Sequence, residues 1–283
     1  MHRVQRFRAA RTASERRSAP VTAACRPVSV SAAYGEGMTT PPALPIGVGV
    51  ALITVFGTDG TPDVDATVAR AAACGRLGVS SVLVAGTTGQ AWRLTAKDRI
   101  VLAGAVKDAL PGMPVVVGTG DRVAARGLET TAEVAAAGAG DALLVLTPED
   151  MALPDFYRAA RERAGEAPLL AYHNPPMSSP GVAAGDVPAL GVDGIKDSSG
   201  STNRLAELVE LGVPAYVGSP TMLAIAGACG ARGAFLAVAN VAPALCLAAW
   251  HGDMAAQRRL FGVHLRSTAD FPSYLERTAP GSV

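Results

Sequence analysis

The sequence of 283 residues predicts an α/β protein, a (β/α)8 barrel of the TIM type with a shortened C-terminal helical extension. Short apolar runs alternate with helical patterns eight times from residue 46 onward. The apolar runs lack the alternation of half-exposed antiparallel strands, and they end in Gly, Pro, Asn or Ser. Eight repeats favour a closed parallel barrel over an open doubly wound sheet, which is the structural alternative.

The predicted strands are apolar along most of their length, as expected where a sheet is covered on both faces. They span residues 48–54, 81–85, 115–118, 142–146, 169–173, 194–196, 215–217 and 233–238.

The predicted helices follow these strands at residues 63–77, 95–110, 124–137, 154–164, 201–211, 221–230, 243–250 and 253–266. Thr95, with Asp98 three residues later, predicts an N-terminal cap, and Ser201 predicts another. The segment 183–190 is short and contains Pro188, so the sequence does not define a regular helix there.

Three regions follow from this pattern. Residues 1–42 form a tail, 43–250 the barrel, and 251–283 a short C-terminal helical segment followed by a tail without a packed pattern. The N-terminal tail is rich in Arg, Ser and Ala and has no periodic apolar face. Its composition is that of an organellar transit peptide, a disordered segment, or a stretch preceding a true start at Met38.

Composition and charge exclude several functions. A net charge of +1 favours neither nucleic acid nor an anionic membrane, and no apolar run reaches the roughly 20 residues of a membrane span. We expect a soluble, cytoplasmic protein. The four cysteines (Cys25, Cys74, Cys229 and Cys246) show no CxxC spacing and are expected to be buried thiols. The histidines form no paired motif, so we expect no metal.

Lys196 is the main catalytic candidate. Catalytic groups of a (β/α)8 barrel lie at the C-terminal ends of the strands, and Lys196 follows Gly194 and Ile195 in an apolar strand. Desolvation at the barrel mouth disfavours the ammonium form, and the neutral amine is the form that attacks a carbonyl. The alternative is a structural lysine that pairs with Asp197 or extends into solvent.

Two other strand ends carry hydroxyl groups. The turn at residues 86–89 (GTTG) offers two threonine hydroxyls and several backbone N–H groups, which suit a carboxylate or a proton relay. The alternative is an ordinary turn with capping threonines. Tyr172 ends the fifth strand, where a phenol either donates and accepts a proton or serves as a packing residue.

The order of these motifs resembles the dihydrodipicolinate synthase / N-acetylneuraminate lyase family. GTTG (86–89), YxxP from Tyr172 and GIKD (194–197) occur in the family's order. The resemblance runs from about Ile46 to about Trp250. It includes ALITVF-x-x-DG-x-x-D (51–63), GTG (118–120), TP (147–148) and VAN (238–240).

The resemblance implies a class I lyase, an aldolase or dehydratase in which Lys196 forms a Schiff base with a 2-oxo acid such as pyruvate. It implies that Tyr172 donates and accepts protons and that Thr87 relays them. The substrate-binding residues that it implies are Thr88, Gly86, Gly89, Gly218 and Phe235, the last through its backbone. It implies no metal or organic cofactor, and a homo-oligomer, either a dimer or a tetramer.

The sequence departs from the synthases of the family at several places. An aromatic pair follows their TP, and one of its tyrosines enters the neighbouring subunit's relay; here Glu149 and Asp150 follow. Their arginine for the aldehyde carboxylate is replaced by Met177. The spacing from Tyr172 to Lys196 and the GIKDS motif are closer to sugar-acid and 4-hydroxy-2-oxoglutarate aldolases. The helices that the family adds after the barrel are also shortened.

The function predicted from the sequence is therefore a Schiff-base lyase whose second substrate is undefined. A 4-hydroxy-tetrahydrodipicolinate synthase is the alternative within the fold. A degenerate, non-catalytic barrel that binds a small acid is the alternative from another class. A nucleotide-binding oxidoreductase is a more distant one, because the chain lacks the glycine fingerprint and its acidic partner.

Overall fold

The fold is a closed barrel of eight parallel strands in which each strand pairs with the next and β8 returns to β1. The computed structural model describes residues 44–179, 181–267 and 277–282. The predicted (β/α)8 architecture is confirmed. The N-terminal tail expected over residues 1–42 lies outside the described residues, as does Cys25.

The strands are β1 (Gly47–Ala51), β2 (Ser81–Val84), β3 (Val115–Gly118), β4 (Ala142–Leu146), β5 (Leu169–His173), β6 (Gly194–Asp197), β7 (Ala215–Val217) and β8 (Gly233–Leu236). The predicted β1 and β8 are too long at their C-terminal ends, and in both cases the reason is Asn240. The buried side chain of Asn240 accepts a hydrogen bond from Ile53 N (3.1 Å) and donates to Ala51 O (2.7 Å) and Ala237 O (2.8 Å). This amide replaces the strand ladder beyond Ala51, and β8 turns into a 3₁₀ segment, Ala237–Asn240.

The α-helices are α1 (Val64–Arg76), α2 (Ala96–Ala109), α3 (Ala124–Ala136), α4 (Leu153–Ala164), α5 (Thr202–Glu210), α6 (Leu223–Ala228), α7 (Pro243–Trp250) and α8 (Met254–Ser267). The single helix predicted over 221–230 is wrong in part, because a 3₁₀ turn, Pro220–Met222, capped by Ser219, precedes the short α6. The segment Ala184–Leu190 is a 3₁₀ helix that contains Pro188, and it takes the place of the helix between β5 and β6.

Local capping explains where several helices begin. Thr95 and Asp98 form a reciprocal capping box at α2, and the Ser201 hydroxyl accepts a hydrogen bond from Arg204 N at α5, so both predicted caps are confirmed. Helix α3 is different, since Val123 has no capping side chain. Its first N–H group, that of Ala124, donates instead to Asp150 from the loop after β4 (2.7 Å).

Two apolar cores hold the barrel together. One lies between the strands and the surrounding helices, and the other fills the barrel interior. At the N-terminal end of the barrel the Tyr216 ring packs against Phe235 (5.1 Å between centroids), and its hydroxyl donates to Pro45 O (2.6 Å). The interior is therefore closed at this end, and the room for a ligand lies at the other, where the strands end.

The C-terminal part of the chain packs on the barrel. The Gln257 side chain on α8 accepts from Ala224 N and donates to Pro220 O, each at 2.8 Å. Gly281 N donates to Val241 O (2.9 Å), so residues 277–282 contact the barrel, although the sequence predicted no packed pattern there. None of the described helices is both long and apolar enough to cross a bilayer.

Three of the four cysteines lie in the described residues and are free thiols. Cys74 and Cys246 are buried, as expected, but Cys229 is exposed at the end of α6, so the prediction of buried thiols is wrong for that residue.

Candidate active site

Lys196 and Tyr172 lie side by side at the C-terminal end of the barrel. They are register partners on the neighbouring strands β5 and β6, and both side chains point into the barrel. Both are buried, with 3% and 5% of their surface exposed. The Lys196 Nζ atom lies 4.2 Å from the centroid of the Tyr172 ring.

The amine of Lys196 has no carboxylate partner within the described part of the chain. Asp197 points to the outside of the barrel, where it forms an ion pair with Arg204 and accepts from Ser199 N (2.8 Å) and Ser199 Oγ (2.6 Å). The alternative of a lysine paired with Asp197 is therefore wrong. The amine lies against the Tyr172 ring and forms no ion pair with a carboxylate of the described residues.

The Tyr172 phenol oxygen is surrounded by hydrogen-bond donors. Asn174 Nδ2 donates to it at 2.8 Å and Thr87 Oγ1 at 3.4 Å, and the Ser198 hydroxyl also bonds to it. Burial raises the pKa of the phenol, whereas the positive charge of Lys196 and these hydroxyl hydrogen bonds lower it. The lowering effects prevail, so the pKa lies below the usual value of 10.0, as suits a proton-transfer group.

Thr87 lies in the GTTG turn (residues 86–89), where the backbone is tightly bent. Ala85 and Gln90, which flank the turn, both have φ of 54°, and they are the only non-glycine residues with positive φ in the described ranges. Such conformations each cost about 1–2 kcal/mol and concentrate at functional sites. A Cβ on Gly89 would lie 2.9 Å from Leu52 O, so the turn needs glycine there. Thr88 is half-buried in the same turn.

Gly218, at the end of β7, makes room for Ser198. A Cβ on Gly218 would lie 2.0 Å from Ser198 Oγ, so the serine side chain occupies this space. Phe235 has its ring in the barrel interior against Tyr216, and the backbone contact with substrate implied for it stays a prediction. The substrate-binding roles expected for Thr88, Gly86, Gly89 and Gly218 are likewise untested by the geometry.

A cavity of about 170 Å³ opens beside the phenol. Its lining includes Thr87, Gly86 and Tyr172, together with the apolar side chains of Trp92, Leu144, Leu146 and Met177. Lys196 is not among the residues that line it.

Charged residues of the cavity are engaged by their neighbours. Arg122 pairs with Glu149 (2.5 Å) and Arg126 with Asp121 (2.8 Å). Arg99 is buried and donates to the carbonyls of Gly118 (2.7 Å) and Ala91 (2.8 Å). Arg93, at the neighbouring turn, lies over the Phe56 ring at 3.5 Å.

Sequence reasoning missed Asn174 and Ser198 as site residues. Both directly follow strands, β5 and β6, and the rule that catalytic groups lie at strand ends applies to them as well as to Lys196. Among the described residues, no three His, Cys, Asp or Glu side chains are close enough to share a metal ion.

Comparison with known proteins agrees with the observed fold. The model of the dihydrodipicolinate synthetase family matches residues 45–258. A 4-hydroxy-tetrahydrodipicolinate synthase from Prochlorococcus marinus (strain MIT 9303) is 32% identical over 174 residues, covering 56% of this chain and 55% of that protein. The chain thus matches little more than half the length of this relative. A protein from Emericella nidulans named "Probable 4-hydroxy-2-oxoglutarate aldolase, mitochondrial" is 30% identical over 236 residues, 74% of each chain.

Solved structures share the fold. The prophage protein YagE from E. coli K12, in complex with pyruvate, superposes with a TM-score of 0.73 at 22% identity and covers 82% of this chain and 86% of that one. CdNal from Clostridium difficile, in complex with mannosamine, gives a TM-score of 0.69 at 15% identity and covers 80% and 83%. At these identities the likeness is one of architecture.

Proposed function

Because this chain belongs to the dihydrodipicolinate synthetase family, we propose that it is a Schiff-base lyase in which Lys196 condenses with a 2-oxo acid such as pyruvate. One observation carries the proposal. A buried amine without a carboxylate partner among the described residues lies 4.2 Å from the ring of a tyrosine whose hydroxyl accepts two side-chain hydrogen bonds. A nucleophile and a proton-transfer group thus lie together at the end of the barrel where ligands enter.

The chemistry follows from these groups. The Lys196 nitrogen attacks C2 of the 2-oxo acid, and the former carbonyl oxygen takes up protons and leaves as water, so that a C=N bond replaces C=O. Tyr172 supplies a proton to that oxygen and later removes one from C3, with Thr87 as the relay. Loss of the C3 proton gives an enamine, which attacks the aldehyde carbon and forms a carbon–carbon bond while the aldehyde oxygen takes up a proton. In the cleavage direction the iminium accepts the electron pair of that bond as the C4 hydroxyl loses its proton, and the resulting enamine is protonated at C3.

The 2-oxo acid carboxylate is assigned to the turn at residues 86–89. Its two glycines place no side chains over the backbone N–H groups, and Thr88 adds a hydroxyl, a combination that suits an anion. The cavity beside Tyr172 is the place for the second reactant, because it borders the phenol and is open to solvent. Its apolar lining favours an aldehyde that is neutral, hydroxylated or apolar.

The substrate class is proposed to be that of the aldolases rather than the synthases. Met177 lines the cavity at the position where synthases carry an arginine for the aldehyde carboxylate, and a thioether cannot bind a carboxylate. The loss of one charge-assisted contact costs about 1.5–3 kcal/mol, roughly ten- to a hundredfold in binding. The similarity to the Emericella nidulans protein over 74% of both chains supports the same choice.

Borohydride trapping tests the proposal. The chain contains three lysines, Lys97, Lys107 and Lys196, so peptide mapping assigns the reduced adduct without ambiguity. Incubation with pyruvate and borohydride should add mass to the peptide of Lys196 alone. Lys196→Ala should abolish the adduct. Lys107→Ala is the matched control, since Lys107 is a surface residue paired with Asp141.

The outcomes separate the alternatives. An adduct on Lys97 or Lys107, or no adduct, would contradict the Schiff-base mechanism and favour the non-catalytic barrel. With trapping established, a panel of 2-oxo acids and aldehydes identifies the reaction. Synthesis of 4-hydroxy-tetrahydrodipicolinate from pyruvate and aspartate semialdehyde at about 1–1000 per second would overturn the aldolase assignment. A homo-oligomer is part of the proposal and is tested by sedimentation.

A further inference from the structure

We propose that Asn174 is a positioning residue for Tyr172, whose phenol oxygen accepts a hydrogen bond from the Asn174 side-chain amide and so keeps its proton for the reacting carbonyl oxygen. The catalytic consequence rests on the proposed Schiff-base function, whereas the hydrogen bond and its effect on the phenol do not. The distance from Asn174 Nδ2 to Tyr172 Oη is 2.8 Å, shorter than the 3.4 Å from Thr87 Oγ1 to the same oxygen.

The direction of this hydrogen bond follows from the chemistry of the groups. A carboxamide NH2 group donates and does not accept, so Tyr172 Oη must accept from Asn174. A phenol has one proton and two lone pairs. Asn174 and Thr87 donate to the lone pairs, and the phenol proton is then shared with the Ser198 hydroxyl and the Lys196 amine, which also bond to this oxygen.

The backbone holds Asn174 in place for this contact. Its carbonyl oxygen accepts three hydrogen bonds, from Met177 N (2.8 Å), Ser178 N (2.8 Å) and Ser178 Oγ (3.0 Å). Its neighbour His173 is also fixed, because Nδ1 accepts from Val182 N (3.1 Å). The side chain therefore projects from a bonded turn, and little entropy is lost when the amide meets the phenol.

Asn174 bonds to the phenol in a chain that lacks the second relay tyrosine of the synthases. Synthases of the family place a second tyrosine in the relay, and Glu149 and Asp150 stand at that place here. In this chain Glu149 is bound to Arg122 and Asp150 to Ala124 N, so both carboxylates tie the loop after β4 to the loop after β3. A second group at the phenol is nevertheless present, and it comes from the loop after β5.

The charged groups around the phenol remain in place when Asn174 is changed. Lys196 faces it from β6, and the cavity beside it is lined by four charged residues from α2, α3 and the loop after β3: Arg99, Asp121, Arg122 and Arg126. A change in the titration of Tyr172 on substitution of Asn174 would therefore report the lost hydrogen bond.

The experiment compares Asn174→Leu and Asn174→Asp with the unaltered protein. Ionisation of Tyr172 is followed by tyrosinate absorbance as the pH is raised, and the same titration of Tyr172→Phe variants is subtracted. Loss of a donor destabilises the phenolate, so Tyr172 should titrate at higher pH in Asn174→Leu. It should titrate at still higher pH in Asn174→Asp, because an ionised carboxylate cannot donate and repels the phenolate.

Kinetics supply the second readout. We expect kcat to fall about three- to tenfold in Asn174→Leu, the effect of one hydrogen bond, while pyruvate still gives the Lys196 adduct. Asn203→Leu is the matched control, since Asn203 is exposed on α5 and should change neither readout. Aspartate differs little in size from asparagine. If Asn174→Leu does not fold, the Tyr172 titration of Asn174→Asp is compared with that of the unaltered protein.

Two results would overturn the inference. One is a Tyr172 titration that is unchanged in both variants, and the other is a shift to lower pH, which would mean that the amide oxygen faces the phenol. Failure of pyruvate trapping in the unaltered protein would instead refute the proposed function. The titration does not depend on turnover, so the two failures are distinguishable.

Discussion

The substitution Gly218→Ala tests the packing of the site most directly. The added methyl group would lie 2.0 Å from Ser198 Oγ, 3.0 Å from Ser198 Cβ and 3.2 Å from Ser198 Cα. The first of these distances is well inside van der Waals contact, so Ser198 must move. Because Ser198 lies two residues after Lys196 and bonds to the Tyr172 phenol, its displacement should disturb both catalytic candidates.

The size of the effect follows from this geometry. An extra methyl group in a packed site destabilises by about 1–3 kcal/mol, which for a chain of this size lowers Tm by roughly 2–4 °C per kcal/mol. The three distances also predict a rescue. Ser198→Gly removes Oγ and Cβ and leaves only the contact at 3.2 Å, so the double variant should recover most of the stability lost in Gly218→Ala.

Urea unfolding of the two single variants and the double variant measures this coupling, and pyruvate trapping measures the site. Gly104→Ala is the control, because a Cβ there meets nothing within 4 Å and α2 should gain about 0.5–1 kcal/mol. If Gly218→Ala unfolds like the unaltered protein, or if Ser198→Gly gives no recovery, then Ser198 does not occupy the space above Gly218.

Three further predictions concern residues around the site. Asp150→Ala should lower the free energy of unfolding by about 1 kcal/mol in urea titrations, since it removes the acceptor for Ala124 N at the start of α3. Burial and the charge of Arg204 lower the pKa of His173 below 6.5, so the unfolded chain binds more protons and stability should fall as the pH drops below 6.5; thermal melts of His173→Gln should show a smaller fall. Met177→Arg should raise kcat/KM for aldehydes that carry a carboxylate about ten- to a hundredfold, with no gain for neutral aldehydes.

The architecture was predictable because it depends on features that repeat along the chain. Strands covered on both faces need continuous apolar runs, and the caps at Thr95 and Ser201 are local patterns of a few residues. The errors arose where a distant side chain decides a boundary. Asn240 ends β1 from 189 residues away, and no property of the β1 sequence itself indicates that Ala51 is its last residue.

Some residues of the site could be predicted from the sequence, and others could not. The positions of Lys196 and Tyr172 could be predicted, because the end of a barrel strand places its last inward residue at the mouth. The contacts of Asn174 could not, since they depend on a turn closed by hydrogen bonds to Met177 and Ser178. Ser198 was equally hidden, because its place depends on the missing side chain of Gly218, on the next strand.

The charged residues that line the cavity indicate which second reactant it suits. Three arginines line it: Arg99 donates to the carbonyls of Gly118 and Ala91, whereas Arg122 and Arg126 each form an ion pair with a carboxylate of the chain. A substrate carboxylate that binds Arg122 or Arg126 would have to displace Glu149 or Asp121, and the exchange would gain little, since one carboxylate would replace another. Arg99 is buried and already donates to two backbone carbonyls. The reactant that gains most from this cavity is therefore one whose polar groups are hydroxyls, with its carbon skeleton against Leu144, Leu146 and Met177. Glu149→Gln would release Arg122, and it should improve the reaction of a carboxylate-bearing aldehyde while leaving that of a neutral aldehyde unchanged; equal effects on both would contradict the argument.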